Sequence, residues 1–257
     1  MRGGPRAIAA ALGVFVLATA AAGAPEIEFL SLPADNLSGI AYDGTSLWLT
    51  VDGAGQILEV DPHTLNIRRT LAFPSKATGG NAWDGHKLWQ LAYQDRTISR
   101  IDPKSGAIEA VIPSPGAGQC SGMTFDGRFL WVANFDEEKI YQIDPLNKGA
   151  IVRSVPGNHD LTGIAWDGHS LWFGLVIPPK NEPESAARLG VVEQMNLDDQ
   201  EVVRSIPVSG VGPGTSDWTP QNKKATVFWW YDGYHRRLAR ITLARGASPT
   251  ALTKLAK

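Results

Sequence analysis

Apolar positions in this chain fall in short clusters bounded by turn residues, and the clusters recur along its length. The recurring unit reads Gly-apolar-Ala-aromatic-Asp-Gly-x-x-Leu-Trp, with an Ile-x-x-Ile-Asp-Pro segment following a short distance on. Clear copies place the Leu-Trp pair at Leu47-Trp48, Leu88-Trp89, Leu130-Trp131 and Leu171-Trp172, and a degenerate fifth carries Phe228-Trp229. A repeat of ~40 residues built only from strand and turn signals predicts the blades of a β-propeller.

The second unit gives the plan of a blade. Gly80–Trp83 reads as a short first strand, and Asp84-Gly85 as a hairpin turn, because glycine supplies the positive φ that such turns need. Leu88–Tyr93, Thr97–Ile101 and Ile108–Ile112 follow as three more strands, and Asp102-Pro103 opens the turn before the last of them. The strands are apolar on both faces, which suits sheets packed between two neighbours. The fifth unit lacks a fourth strand of its own. Ile27–Leu32, ahead of the first unit, stands where that strand belongs. The expectation is an all-β, five-bladed propeller of four antiparallel strands per blade. The N-terminal strand completes the last blade, so the ring has no open edge.

The ends of the chain bound the domain. Met1–Arg6 is short and basic, Ala7–Ala20 is apolar, and small residues follow to Ala24. This reads as a secretory signal peptide over 1–22, too short for a membrane span. The propeller is expected over 25–243, followed by a C-terminal tail, 244–257. Export to the periplasm or the extracellular space follows. A net charge of −2 gives no reason to expect nucleic-acid binding, and no membrane span is expected after signal removal. With Cys120 alone, no intramolecular disulfide can form, so packing must hold the fold. Five of the nine tryptophans belong to the repeat and are read as packing residues. A monomer is expected.

Strand order sorts the polar residues between two ends of the ring. The Asp-Gly and Asp-Pro turns share one end, where His63, His86 and His169 read as solvated turn residues. The crossovers between blades and the turns between second and third strands share the other. That loop-rich mouth also receives the insertion Val176–Gly190. Ligands gather where loops surround a rigid scaffold. The ligand-binding candidates there are Asp52, Asn81, Asn134, Asp160, Asp217 and Asp232. Asp and Asn oxygens from separate blades could hold Ca²⁺ or Zn²⁺ for a lactonase-type hydrolase. Local spacing names no catalytic residue, metal ligand or cofactor. No Gly-x-Ser-x-Gly, His-Glu-x-x-His or phosphate-loop motif occurs. The insertion and the aromatic cluster Trp218, Trp229, Trp230, Tyr231 and Tyr234 would also suit a protein-interaction scaffold.

The segment Lys87–Pro103, together with Leu37-Ser-Gly-Ile-Ala-Tyr-Asp-Gly44 and Ser121-Gly-Met-Thr-Phe-Asp-Gly127, resembles the glutamine cyclotransferase family of plant and bacterial type. The resemblance implies a five-bladed propeller. It also implies cyclisation of an N-terminal glutamine to pyroglutamate with release of ammonia. The family's glutamates are not kept. Leu49, Gly79 and Gln119 stand in their places, and Asp52 is the nearest acid to the first. Leucine and glycine cannot move protons. The fold is therefore carried over and the reaction is not. The expected function is binding of a small molecule or peptide terminus at the loop-rich mouth.

Overall fold

In the computed structural model, the structure describes residues 25–32, 34–157, 161–177, 189–208, 216–222, 225–233 and 235–244. The predicted signal peptide, Asp160, most of the Val176–Gly190 insertion, Tyr234 and nearly all of the C-terminal tail lie outside them. The described residues form twenty strands in five antiparallel sheets, with no helix. No helix long and apolar enough to cross a membrane is present among them.

The first blade comprises β2 (Leu37–Tyr42), β3 (Leu47–Val51), β4 (Gln56–Val60) and β5 (Ile67–Ala72), paired in sequence order from the axis outward. The same order repeats in β6 (Thr78–Trp83), β7 (Leu88–Ala92), β8 (Thr97–Ile101) and β9 (Ile108–Pro113). It repeats again in β10 (Cys120–Phe125), β11 (Leu130–Asn134), β12 (Lys139–Asp144) and β13 (Ala150–Pro156). The fourth blade is β14 (Leu161–Trp166), β15 (Leu171–Ile177), β16 (Leu189–Met195) and β17 (Val202–Val208).

The fifth blade contains β18 (Ser216–Asn222), β19 (Ala225–Asp232) and β20 (Arg237–Ala244), and its outer strand is β1 (Glu26–Ser31). Ile27 pairs with Ile241, Phe29 with Ala239 and Ser31 with Arg237. The N-terminal strand therefore closes the ring, as the repeat predicts. Ile27 packs on the core around Trp230 and Ile241, while Leu30 packs on the neighbouring core around Trp229 and Leu238.

Burial falls with distance from the axis. Every residue of β3, β7 and β11 is buried, whereas β5, β9 and β13 each bury one residue, Leu71, Ile112 and Val155. Apolar faces on all four strands were expected. The outer strands depart from this because blades diverge as they radiate, so neighbouring sheets no longer touch at the rim.

At the axis the inner strands nearly abut. A Cβ on Gly80 would lie 2.6 Å from the Met123 amide nitrogen, and one on Gly122 would lie 3.0 Å from the Gly163 Cα. Glycine is required at this layer for packing, not for a turn.

The Asp-Gly-x-x-Leu-Trp signature is a single bonded unit. In the third blade, Asp126 Oδ1 accepts the amides of Arg128 and Phe129, at 2.9 and 2.7 Å. Its Oδ2 accepts the Trp131 indole N–H at 2.8 Å. Trp48, Trp89 and Trp172 donate in the same way to Asp43, Asp84 and Asp167, each at 2.8 Å. An arginine from the third or fourth strand lies over each repeat tryptophan, such as Arg153 at 5.2 Å from the Trp131 ring centroid. Blade five departs from the pattern. Its β18–β19 hairpin runs on to the pair Asn222–Ala225, and no Asp-Gly pair stands between the two strands in sequence. Trp229 is fully buried and its indole nitrogen has no acceptor.

Asp126→Ala removes the acceptor of a buried indole as well as the turn. A lost hydrogen bond to a charged group and an orphaned buried donor together cost about 2–4 kcal/mol. The urea midpoint of Asp126→Ala is expected to fall accordingly. A change within about 0.5 kcal/mol would show that the bond carries little of the stability.

Candidate functional site at the channel mouth

At the loop-rich end, the first residues of three inner strands and two hairpin turns surround an open cavity of about 370 Å³. β2 contributes Leu37 and Ser38, β6 contributes Thr78 and Gly79, and the entry to β10 contributes Gln119, Cys120 and Ser121. Tyr93 and Phe135 enter from the turns after β7 and β11. This placement agrees with the face assignment made from strand order.

The lining has hydroxyls, an amide, a thiol and two aromatic rings. The Ser38 and Thr78 hydroxyls lie 3.0 Å apart, and Thr78 Oγ1 lies 3.4 Å from Asp52 Oδ1. The Thr78 amide also donates to Asp52 Oδ1, at 2.9 Å. Asp52 therefore stands behind the cavity wall and fixes the start of β6. The Ser121 Oγ is buried and has no hydrogen-bond partner, which leaves a polar atom beside the cavity for a ligand or water.

The other candidates have separate tasks. Asn81 is 1% exposed; its Nδ2 donates to the Trp48 carbonyl and to Thr50 Oγ1, at 3.0 and 3.1 Å. Thr50 in turn donates to Gln90, whose amide donates to the Gly79 carbonyl at 2.9 Å. This buried chain of polar groups joins blades one and two, and only Asn81 Oδ1 is left without a partner. Asn134 donates to the Ala117 carbonyl and accepts the Glu137 amide, at 2.9 and 3.0 Å, so it braces the crossover and turn around Cys120. Asp232, fully buried, accepts from Arg237 at 3.0 Å and lies 2.7 Å from His235 Nδ1. Asp217 pairs with Trp229 across β18 and β19. Asp160 is outside the described residues. No group of three or more His, Cys, Asp or Glu able to hold a metal ion occurs among the described residues.

The three positions matched to family glutamates have distinct surroundings. Leu49 is fully buried in the core shared by blades one and five. Gly79 has no room for a side chain, since a Cβ there would lie 2.7 Å from Leu91 Cδ2 and 2.8 Å from the Ser121 carbonyl oxygen. Gln119 is exposed at the rim, and its backbone N–H donates to Asp136 Oδ2 at 2.7 Å.

No protein-family model matches the chain, and no curated protein matches it in sequence. Solved structures do match in shape. The crystal structure of Myxococcus xanthus glutaminyl cyclase superposes with a TM-score of 0.66 at 12% identity, covering 86% of this chain and 97% of that one. In fold, the chain is a five-bladed propeller similar to that of the glutaminyl cyclase. A chain of Kuenenia stuttgartiensis hydrazine synthase superposes with a TM-score of 0.50 at 18% identity, covering 78% of this chain and 57% of that one. Likeness at these identities concerns architecture alone.

The residues around the cavity that sequence reasoning missed are Ser38, Thr78, Tyr93, Ser121 and Phe135. A signal was present. Ser38 and Ser121 each precede the glycine of an inner strand, so their equivalence could be read from the repeat.

Cys120 is 3% exposed, and burial pushes its thiol up to about 12. In the unfolded chain a thiol ionises near pH ~8.5. The folded form therefore holds its proton through a range where the unfolded form has lost it. The contribution is fully present below about pH 8.5 and is lost as pH rises toward 12. Iodoacetamide at pH 8 is expected to spare Cys120 in the native protein and to alkylate it in guanidinium chloride. Rapid native alkylation would show an accessible thiolate.

Proposed function

We propose that the chain is an exported propeller that binds a small molecule or peptide terminus at the loop-rich mouth, without the proton-transferring glutamates of the glutamine cyclotransferase pattern. The observation that carries this reading is the chemistry of the mouth. Hydroxyls, an amide and two aromatic rings line a cavity large enough for a few residues of peptide. Such a lining orients a neutral polar group through hydrogen bonds and covers its apolar part. The positions matched to proton-transferring acids hold a core leucine, a glycine without space and a rim amide. Asp52 touches the mouth only through Thr78, whose position it fixes.

A Gln-initiated tripeptide tests the reading. Calorimetry is expected to show binding that weakens about ten-fold, or ~1.4 kcal/mol, when Phe135→Ala removes an exposed ring from the lining. Ammonia release is expected to stay at the buffer rate. Robust release that disappears in Asp52→Asn would overturn the non-catalytic reading.

A further inference from the structure

The opposite end of the channel holds a second open cavity, of about 430 Å³. Its turns match the sequence reading in part, because His63, His86 and His169 are exposed there. The residue before each Asp-Gly pair is different in kind. Tyr42, Trp83, Phe125 and Trp166 are half-buried and all line the cavity.

The four rings hold equivalent register positions. Tyr42 pairs with Leu47, Trp83 with Leu88, Phe125 with Leu130 and Trp166 with Leu171. Trp218 has the same position in β18, opposite Phe228. Each of the four rings leans on a different hydrophobic core while also facing the cavity.

The cavity is also acidic. Asp84, Asp126 and Asp167 line it, and its described lining has no Lys or Arg. The turn amides and the latched indoles hold these carboxylates in place. Arg100 approaches Asp84 to 3.6 Å, and Gln142 donates to Asp126 at 2.8 Å. The arginines over the repeat tryptophans come from third and fourth strands, farther from the axis. The run of Asp-Gly pairs before a Leu-Trp stops at four, since the fifth repeat lacks one.

We propose that this end of the channel binds a compact organic cation, an alkylated ammonium group, among the rings of Tyr42, Trp83, Phe125 and Trp166 and beside the fixed carboxylates. Ring faces attract a cation through their quadrupoles, and several rings around one cavity do so together. The carboxylates add the complementary charge without having to be ordered on binding. A neutral apolar group of the same shape would gain the ring contacts and lose both electrostatic terms.

Choline and its neutral isostere 3,3-dimethyl-1-butanol make the test, titrated against the full chain by calorimetry. Choline is expected to saturate one site, with the isostere at least about ten-fold weaker. Trp83→Leu combined with Trp166→Leu is expected to abolish choline binding, and Phe135→Ala at the mouth to leave it unchanged. Equal binding of the two probes, no choline binding, or loss through Phe135→Ala would overturn the proposal. The two-probe comparison on the unmodified chain decides the matter even if the double variant does not fold.

Discussion

The bond from a repeat indole to the carboxylate five residues before it is the interaction on which most of the structure depends. One aspartate closes the inner hairpin through its first oxygen and anchors the buried tryptophan through its second. The tryptophan is buried and offers its face to an arginine. A neutral acceptor would satisfy the indole less well, because hydrogen bonds to charged groups contribute about 1.5–3 kcal/mol against roughly 1 for neutral ones. Four blades repeat the unit, and the fifth substitutes an extended hairpin and a borrowed outer strand. Both departures fall in the blade that joins the two ends of the chain.

Closure gives the channel its character. Inner strands crowd at the glycine layer, where Gly80 and Gly122 meet the backbone of the next blade. Space remains at the two ends, and the inner strands give those ends different chemistry. Strand starts bring small and hydroxyl residues to the mouth. Strand ends bring aromatic rings and aspartates to the other side.

Much of this was legible in the sequence. Tryptophan spacing counted the blades, and Ile27–Leu32 was recognisable as a displaced fourth strand because the fifth unit lacked one. Strand direction alone put the crossovers and the turns between second and third strands at one end, where they surround a cavity. The site itself was harder to read. Asp52, Asn134 and Asp232 were singled out as polar groups at strand ends. Each proves to be bonded to its own turn, crossover or neighbouring strand, which a lone sequence does not distinguish from ligand contact. The aromatic end was overlooked because its rings are separated by a whole repeat and converge only when the ring closes. Gly79 illustrates a further limit. Its lack of room depends on Leu91 and Ser121, which lie on another strand and in another blade.

The reading of the mouth rests on a scaffold shared with a glutaminyl cyclase and a lining without that pattern's acids. A crystal of the protein soaked with a Gln-initiated tripeptide examines both at once. The account predicts the intact, open-chain glutamine lying at the mouth between Tyr93 and Phe135, within hydrogen-bond reach of Ser121. A pyroglutamyl product at that position, or an empty mouth at saturating peptide, would contradict it.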